Sequence, residues 1–150
     1  MTTEEKELLL KDLCARLPYN VKVSHDRIPP PGWKIKNTWV DGYLDSVDPN
    51  WSKADGYRPH IICAGTECGI ADVKPYLRPM SSMTEEEKKE FYEVSGLNCY
   101  DGLFTCKKLA KRQSFIGEVL DWLNAHHFDY RGLIEKGLAL EAPEGMYSFS

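Results

Sequence analysis

The stretch Val73 to Glu87, VKPYLRPMSSMTEEE, restricts the fold more than any other part of the chain. Pro75 and Pro79 fix φ at their own positions and push Lys74 and Arg78 toward extended backbone. Thr84 followed three residues later by Glu87 is a capping box, and Glu85 and Glu86 fall where a helix N-terminus favours negative charge. A strand is therefore expected to end near Val73, a stiff connector to cross, and a helix to begin at Thr84. The sequence before this junction reads as strands and turns, the sequence after it as helices.

In the front part, Thr2 with Glu5 offers a second capping box, and Leu9, Leu10, Leu13, Cys14 and Leu17 recur at helical spacing until Pro18. Tyr19 to Ser24 alternates as a strand should. Ile28 to Gly32, with three consecutive prolines, must be a loop. Trp33 to Asp48 reads as two strands or one bulged strand about the turn signal Asp41-Gly42. A second long loop is expected from Pro49 to Pro59, then short strands at His60 to Ala64 and Ile70 to Val73. Such short strands suit an α+β fold: a small curved antiparallel sheet or SH3-like barrel over residues 19–79, preceded by one helix and followed by a helical C-terminal part. The corresponding division is 1–83 and 84–150, or one single domain.

Beyond the junction, a helix over Thr84 to Ser95 should stop at Gly96. Leu97 to Thr105 reads as a hairpin or loop around Asp101-Gly102. Ser114 is expected to cap a helix carrying Phe115, Ile116, Val119, Leu120 and Leu123. Asp129 is expected to cap a turn over Tyr130 to Lys136 closed by Gly137, with Leu138 to Ala142 extended.

Composition narrows the function. The 150 residues are 42% hydrophobic, enough to build a core, and carry a formal charge of −4, which opposes a bulk electrostatic grip on nucleic acid. No apolar run approaches the about 20 residues that span a bilayer, and the acidic N-terminus does not read as a targeting peptide, so no membrane partner and a cytoplasmic location are expected. The odd cysteine count suggests reduced thiols, and neither Cys63/Cys68 nor Cys99/Cys106 has zinc-knuckle spacing. No metal and no cofactor are expected.

Three groups of residues could carry chemistry. His126, His127 and Asp129 could ligate a metal or serve a hydrolase, but neighbouring helical residues diverge by about 100° and histidines are favoured at a helix C-terminus for electrostatic reasons. No nucleophile motif or phosphate-binding glycine loop is present, so no catalytic residue is expected. Trp33, Trp39, Trp51, Tyr57 and Arg58 could form a recognition surface on the β unit, stacking a base or anchoring a protein interface, although loops packing their own aromatics onto a small sheet are the commoner explanation. The basic run containing Lys107, Lys108, Lys111 and Arg112 could meet phosphates, although a solvated helix face is the commoner explanation.

Three stretches, ARLPYNVKV (Ala15 to Val23), VKPYLRPMSSMTEEEKKEF (Val73 to Phe91) and DWLNAHHFDYRGLIEKGLALEAPEGMY (Asp121 to Tyr147), resemble a family of short proteins of unknown activity carried by bacteriophages and integrated elements of gut bacteria. The resemblance implies a context, an accessory protein acting in a host cytoplasm, and assigns no activity to any residue. The leading expectation is non-enzymatic binding of a host or phage macromolecule, most simply a protein, as a means of modulating host functions or defence. Nucleic-acid or nucleotide binding through the loop aromatics and basic run stands second, and a metal-dependent hydrolase centred on His126, His127 and Asp129 third.

Overall fold

The computed structural model describes residues 1–27, 31–34, 38–52, 58–95 and 112–147. Helix α1 (Thr3–Arg16) leads into strands β1 (Lys22–Asp26), β2 (Trp39–Ser52), β3 (Arg58–Cys63), β4 (Thr66–Cys68) and β5 (Val73–Leu77); helices α2 (Glu85–Ser95) and α3 (Arg112–Ala125) follow, then a short strand β6 (Leu140–Glu141). The fold is α+β. Its six strands form one open, curved sheet in the order β4-β3-β2-β1-β5-β6. The curved-sheet alternative is the one found: the sheet does not close into a barrel, and its last pair, β5 with β6, is parallel where only antiparallel pairing was expected.

Both capping boxes form. Thr2 and Glu5 exchange side-chain and backbone hydrogen bonds at the start of α1 (2.8 and 3.1 Å), and Thr84 and Glu87 do the same at α2 (3.1 and 3.2 Å). The buried face of α1 is not wholly apolar. Leu9 and Leu13 are buried together with Asp12 and Arg16, while Cys14, expected on that face, is exposed.

Asp41-Gly42 makes no turn. It lies inside β2, one long strand whose register against β3 shifts between Leu44 and Ser46 and between Asp48 and Ser52. The glycine answers a packing demand: a Cβ there would stand 2.8 Å from the Ala64 Cβ and 3.3 Å from His25 Nε2. β2 also runs through Pro49 and Trp51 and β3 starts at Arg58, so both ends of the loop expected from Pro49 to Pro59 are strand; the second register shift falls at the proline, which has no N–H to give. The strand expected at Ile70 to Val73 is displaced, because Ile70–Asp72 is a 3-10 turn and the strand starts at Val73.

The proline-bearing junction is thus itself a strand as far as Leu77. The Leu77 carbonyl accepts from the Ala142 N–H (2.7 Å), so by alternation the Pro75 nitrogen points to the same side, ahead of the first β5–β6 pair at Tyr76. Its missing N–H therefore breaks no rung. One apolar cluster unites both halves of the chain: Leu9, Leu13, Val23, Ile61 and Leu77 pack with Leu133, Leu138 and Ala139.

α3 begins at Arg112, ahead of Ser114, the residue expected to cap it. Asp129 caps the turn after α3 as expected, its carboxylate accepting from Leu133 N–H (2.8 Å) and Ile134 N–H (3.0 Å). α3 ends in a Schellman arrangement, with Phe128 N–H on the Leu123 carbonyl (3.0 Å) and His127 N–H on that of Asn124 (3.1 Å). His127 takes the left-handed position, φ 61°, that glycine usually fills. Gly96 and the expected hairpin at Leu97 to Thr105 lie outside the described residues. Among the described residues no helix is long and apolar enough to cross a membrane.

Candidate functional site

Where β5 ends, the chain has to turn into α2, and β6 returns beside it. Between them opens a cleft of about 1130 Å³. Its walls are the connector after β5 (Arg78, Pro79, Ser82), the first half of α2 with its cap (Thr84, Glu86, Glu87, Glu90), His126 just past α3, and residues of the segment 141–147.

Arg78 is its main cation. The guanidinium meets Glu87 through two parallel hydrogen bonds of 2.7 Å and lies over the Phe128 ring, 4.3 Å from its centroid. The Arg78 backbone is fixed as well, since its N–H donates to the His127 carbonyl (2.7 Å) and its carbonyl accepts from Asp129 N–H (2.8 Å). Hydrogen bonds from Arg78 hold the Glu87 carboxyl far below its ordinary range, at about 2. This charge pair is mutually satisfied.

The remaining carboxylates are not. Glu86, Glu141 and Glu144 are exposed and have no ion-pair partner among the described residues. Glu90 Oε2 lies 3.9 Å from His126 Nε2. His126 donates Nδ1–H to the Trp122 carbonyl (2.8 Å) and stacks on the Trp122 ring at 4.0 Å, so Nε2 is the nitrogen turned to Glu90. Five glutamates against one arginine and one histidine leave the cleft strongly negative.

Segment 141–147 is pinned by Tyr147. Its hydroxyl accepts from Lys22 N–H (2.9 Å) and donates to the Tyr76 carbonyl (2.8 Å), bridging β1 and β5 just past their last rung, Val23 with Pro75. The Tyr147 ring stacks on His127 at 3.8 Å. Burial, followed by the positive charges of Arg16, His126 and Arg78, depresses His127 to about 4, so its ring is neutral at pH 7.

His126, His127 and Asp129 do not act together. His126 turns to the cleft, His127 is buried against Tyr147, and Asp129 holds backbone N–H groups. Among the described residues no group of three or more His, Cys, Asp or Glu side chains could hold a metal ion. Of the recognition residues expected from sequence, Trp33 is 67% exposed in the loop before β2, and Trp39 is half-buried on β2 opposite Asp26. Trp51 falls in β2, Arg58 opens β3 and Arg112 opens α3, but their side chains, like all of Tyr57, Lys107, Lys108 and Lys111, lie outside the described residues.

Sequence reasoning missed the cleft. TEEEKKE reads as an ordinary helix start and EAPE as an ordinary surface segment; only the parallel β5–β6 pairing brings them together. Compared with known proteins, the chain matches no family model, no curated protein and no solved structure.

Proposed function

We propose that this is a non-enzymatic binding protein, and that the acidic cleft receives a positively charged part of a partner protein. The observation that carries this reading is the cleft's unbalanced charge: Glu86, Glu141 and Glu144 line it together with an Arg78–Glu87 pair that already satisfies itself. Fixed charge of one sign in a concave site raises the local concentration of oppositely charged ligands. Catalysis finds less support, because the imidazole and carboxylates of the His126 region point to separate tasks. Phosphate would be repelled here, so a nucleic acid would have to be held elsewhere, by Lys107, Lys108, Lys111 and Arg112. The phage-type context and the host cytoplasm belong to the same proposal and rest on the sequence resemblance.

The test is titration of the full chain with lysine-rich and glutamate-rich peptides of equal length, followed by calorimetry. The basic peptide should bind, weaken several-fold as salt rises from low to physiological strength, and weaken about tenfold with Glu86→Gln/Glu141→Gln/Glu144→Gln. Indifference to peptide charge, or full retention by the triple variant, would overturn the reading.

A further inference from the structure

We propose that the outer edge of β6 takes a seventh strand: an extended, basic segment of another protein, laid alongside Glu141. This rests on the charge reading of the cleft and adds the conformation of what enters it. The sheet is open, and β6 is one of its two edges. In the parallel pair with β5, Leu140 sits opposite Tyr76, and Ala142 N–H reaches the Leu77 carbonyl. Backbone groups alternate along a strand, so those of Glu141, between them, point away from the sheet. Glu141 is at the same time part of the cleft wall.

An open edge is a template for a strand from another chain, with main-chain hydrogen bonds giving affinity and the flanking side chains giving selectivity. β6 is short, and Pro143 follows Glu141 and Ala142, which limits indiscriminate pairing. What remains is selective for charge. Glu86 and Glu144 line the same cleft as Glu141, so a strand carrying lysine or arginine at alternate positions meets carboxylates there, while an acidic strand is repelled. A second copy of this chain is a poor occupant, because edge-to-edge pairing would set Glu141 and Glu144 near their own counterparts in a chain of net charge −4.

The decisive probe is a peptide of alternating lysine and valine, compared with the same peptide N-methylated at alternate backbone amides, each titrated into the full chain. The unmodified peptide should bind at least tenfold more tightly than the methylated one, and should slow hydrogen exchange at the Glu141 amide. Equal binding of the two peptides would overturn the added strand while leaving the charge reading intact. Binding of neither would overturn both. Dimerisation of the protein alone, with protection of the Glu141 amide, would give the edge to a second copy and overturn the proposal.

Discussion

Two arginines meet the same residue, Phe128, under opposite conditions. Arg16, on α1, is wholly buried; its Nη2 donates to the Phe128 carbonyl (2.6 Å) and its Nε to Asp12 (2.8 Å). Arg78, at the end of β5, lies over the Phe128 ring from the cleft and keeps 15% of its side chain exposed. Asp12 also accepts from Arg131 (2.8 Å), so the buried cluster has two cations for one carboxylate. The Phe128 carbonyl, and the Tyr130 ring lying under both guanidiniums, help to compensate the excess. At Arg78 the excess is negative, and among the described residues no ion pair offsets it at Glu86, Glu141 or Glu144. The first region turns its charges inward, with Arg16 Nη1 the one guanidinium nitrogen of Arg16 left without a hydrogen-bond partner, and so holds α1 to the end of α3. The second leaves charge facing water, which is what a binding surface requires.

The largest effect should come from the buried side. Asp12→Ala strands two guanidiniums, one without access to water, and should cost about 3–5 kcal/mol of unfolding free energy in urea denaturation. Asp12→Leu combined with Arg16→Met removes the buried charges together and should recover a large part of that loss. A single-variant cost below about 1 kcal/mol would break the comparison, since Arg16 and Arg78 would then be equally dispensable.

The two regions should also separate by pH. Unfolded, His127 takes up a proton around 6.5; folded, it resists until about 4, because burial and both guanidiniums oppose the charge. The unfolded chain binds more protons in that window, so stability falls as pH drops from 6.5 to 4 and is intact above it. Glu87 acts lower: held at about 2 against an ordinary 4.5, its contribution is present above 4.5 and lost as pH falls toward 2. His127→Asn, whose side chain tolerates the left-handed backbone, should flatten the upper segment only. Glu87→Gln should flatten the lower one and cost about 1 kcal/mol at neutral pH. Denaturation midpoints across pH 2–8 check both, and a slope moved by the wrong variant would refute the assignment.

What could be read ahead of the structure was local chemistry. The capping boxes at Thr2 and Thr84 and the Asp129 cap depend on residues within five positions of one another, and all three form. Non-local demands were read wrongly or missed. Gly42 looked like a turn residue because its reason, the approach of His25 and Ala64, comes from elsewhere in the fold. Asp12 and Arg16 are charged residues at positions of α1 that helical spacing places beside Leu9 and Leu13, yet only their tie to Arg131 and Phe128 explains their burial. The cleft is the extreme case. Its glutamates come from two segments joined by a two-residue parallel strand, and no pattern in either segment announces the other.

The smallest effect concerns Trp33, which stands apart from both arginine regions. With 67% of its surface exposed, it contributes little to packing, so Trp33→Ala should leave the urea midpoint unchanged and stability within about 0.5 kcal/mol. Its value lies in the second measurement. Trp33 is not among the residues lining the cleft, so binding of a basic peptide there should survive the substitution within about twofold. Loss of that binding, with stability preserved, would mean that the loop before β2 and the acidic cleft form one recognition surface. The contrast between an interior that turns its charges inward and a charge-bearing cleft would then be incomplete, because the ligand would need an aromatic anchor that lies in neither.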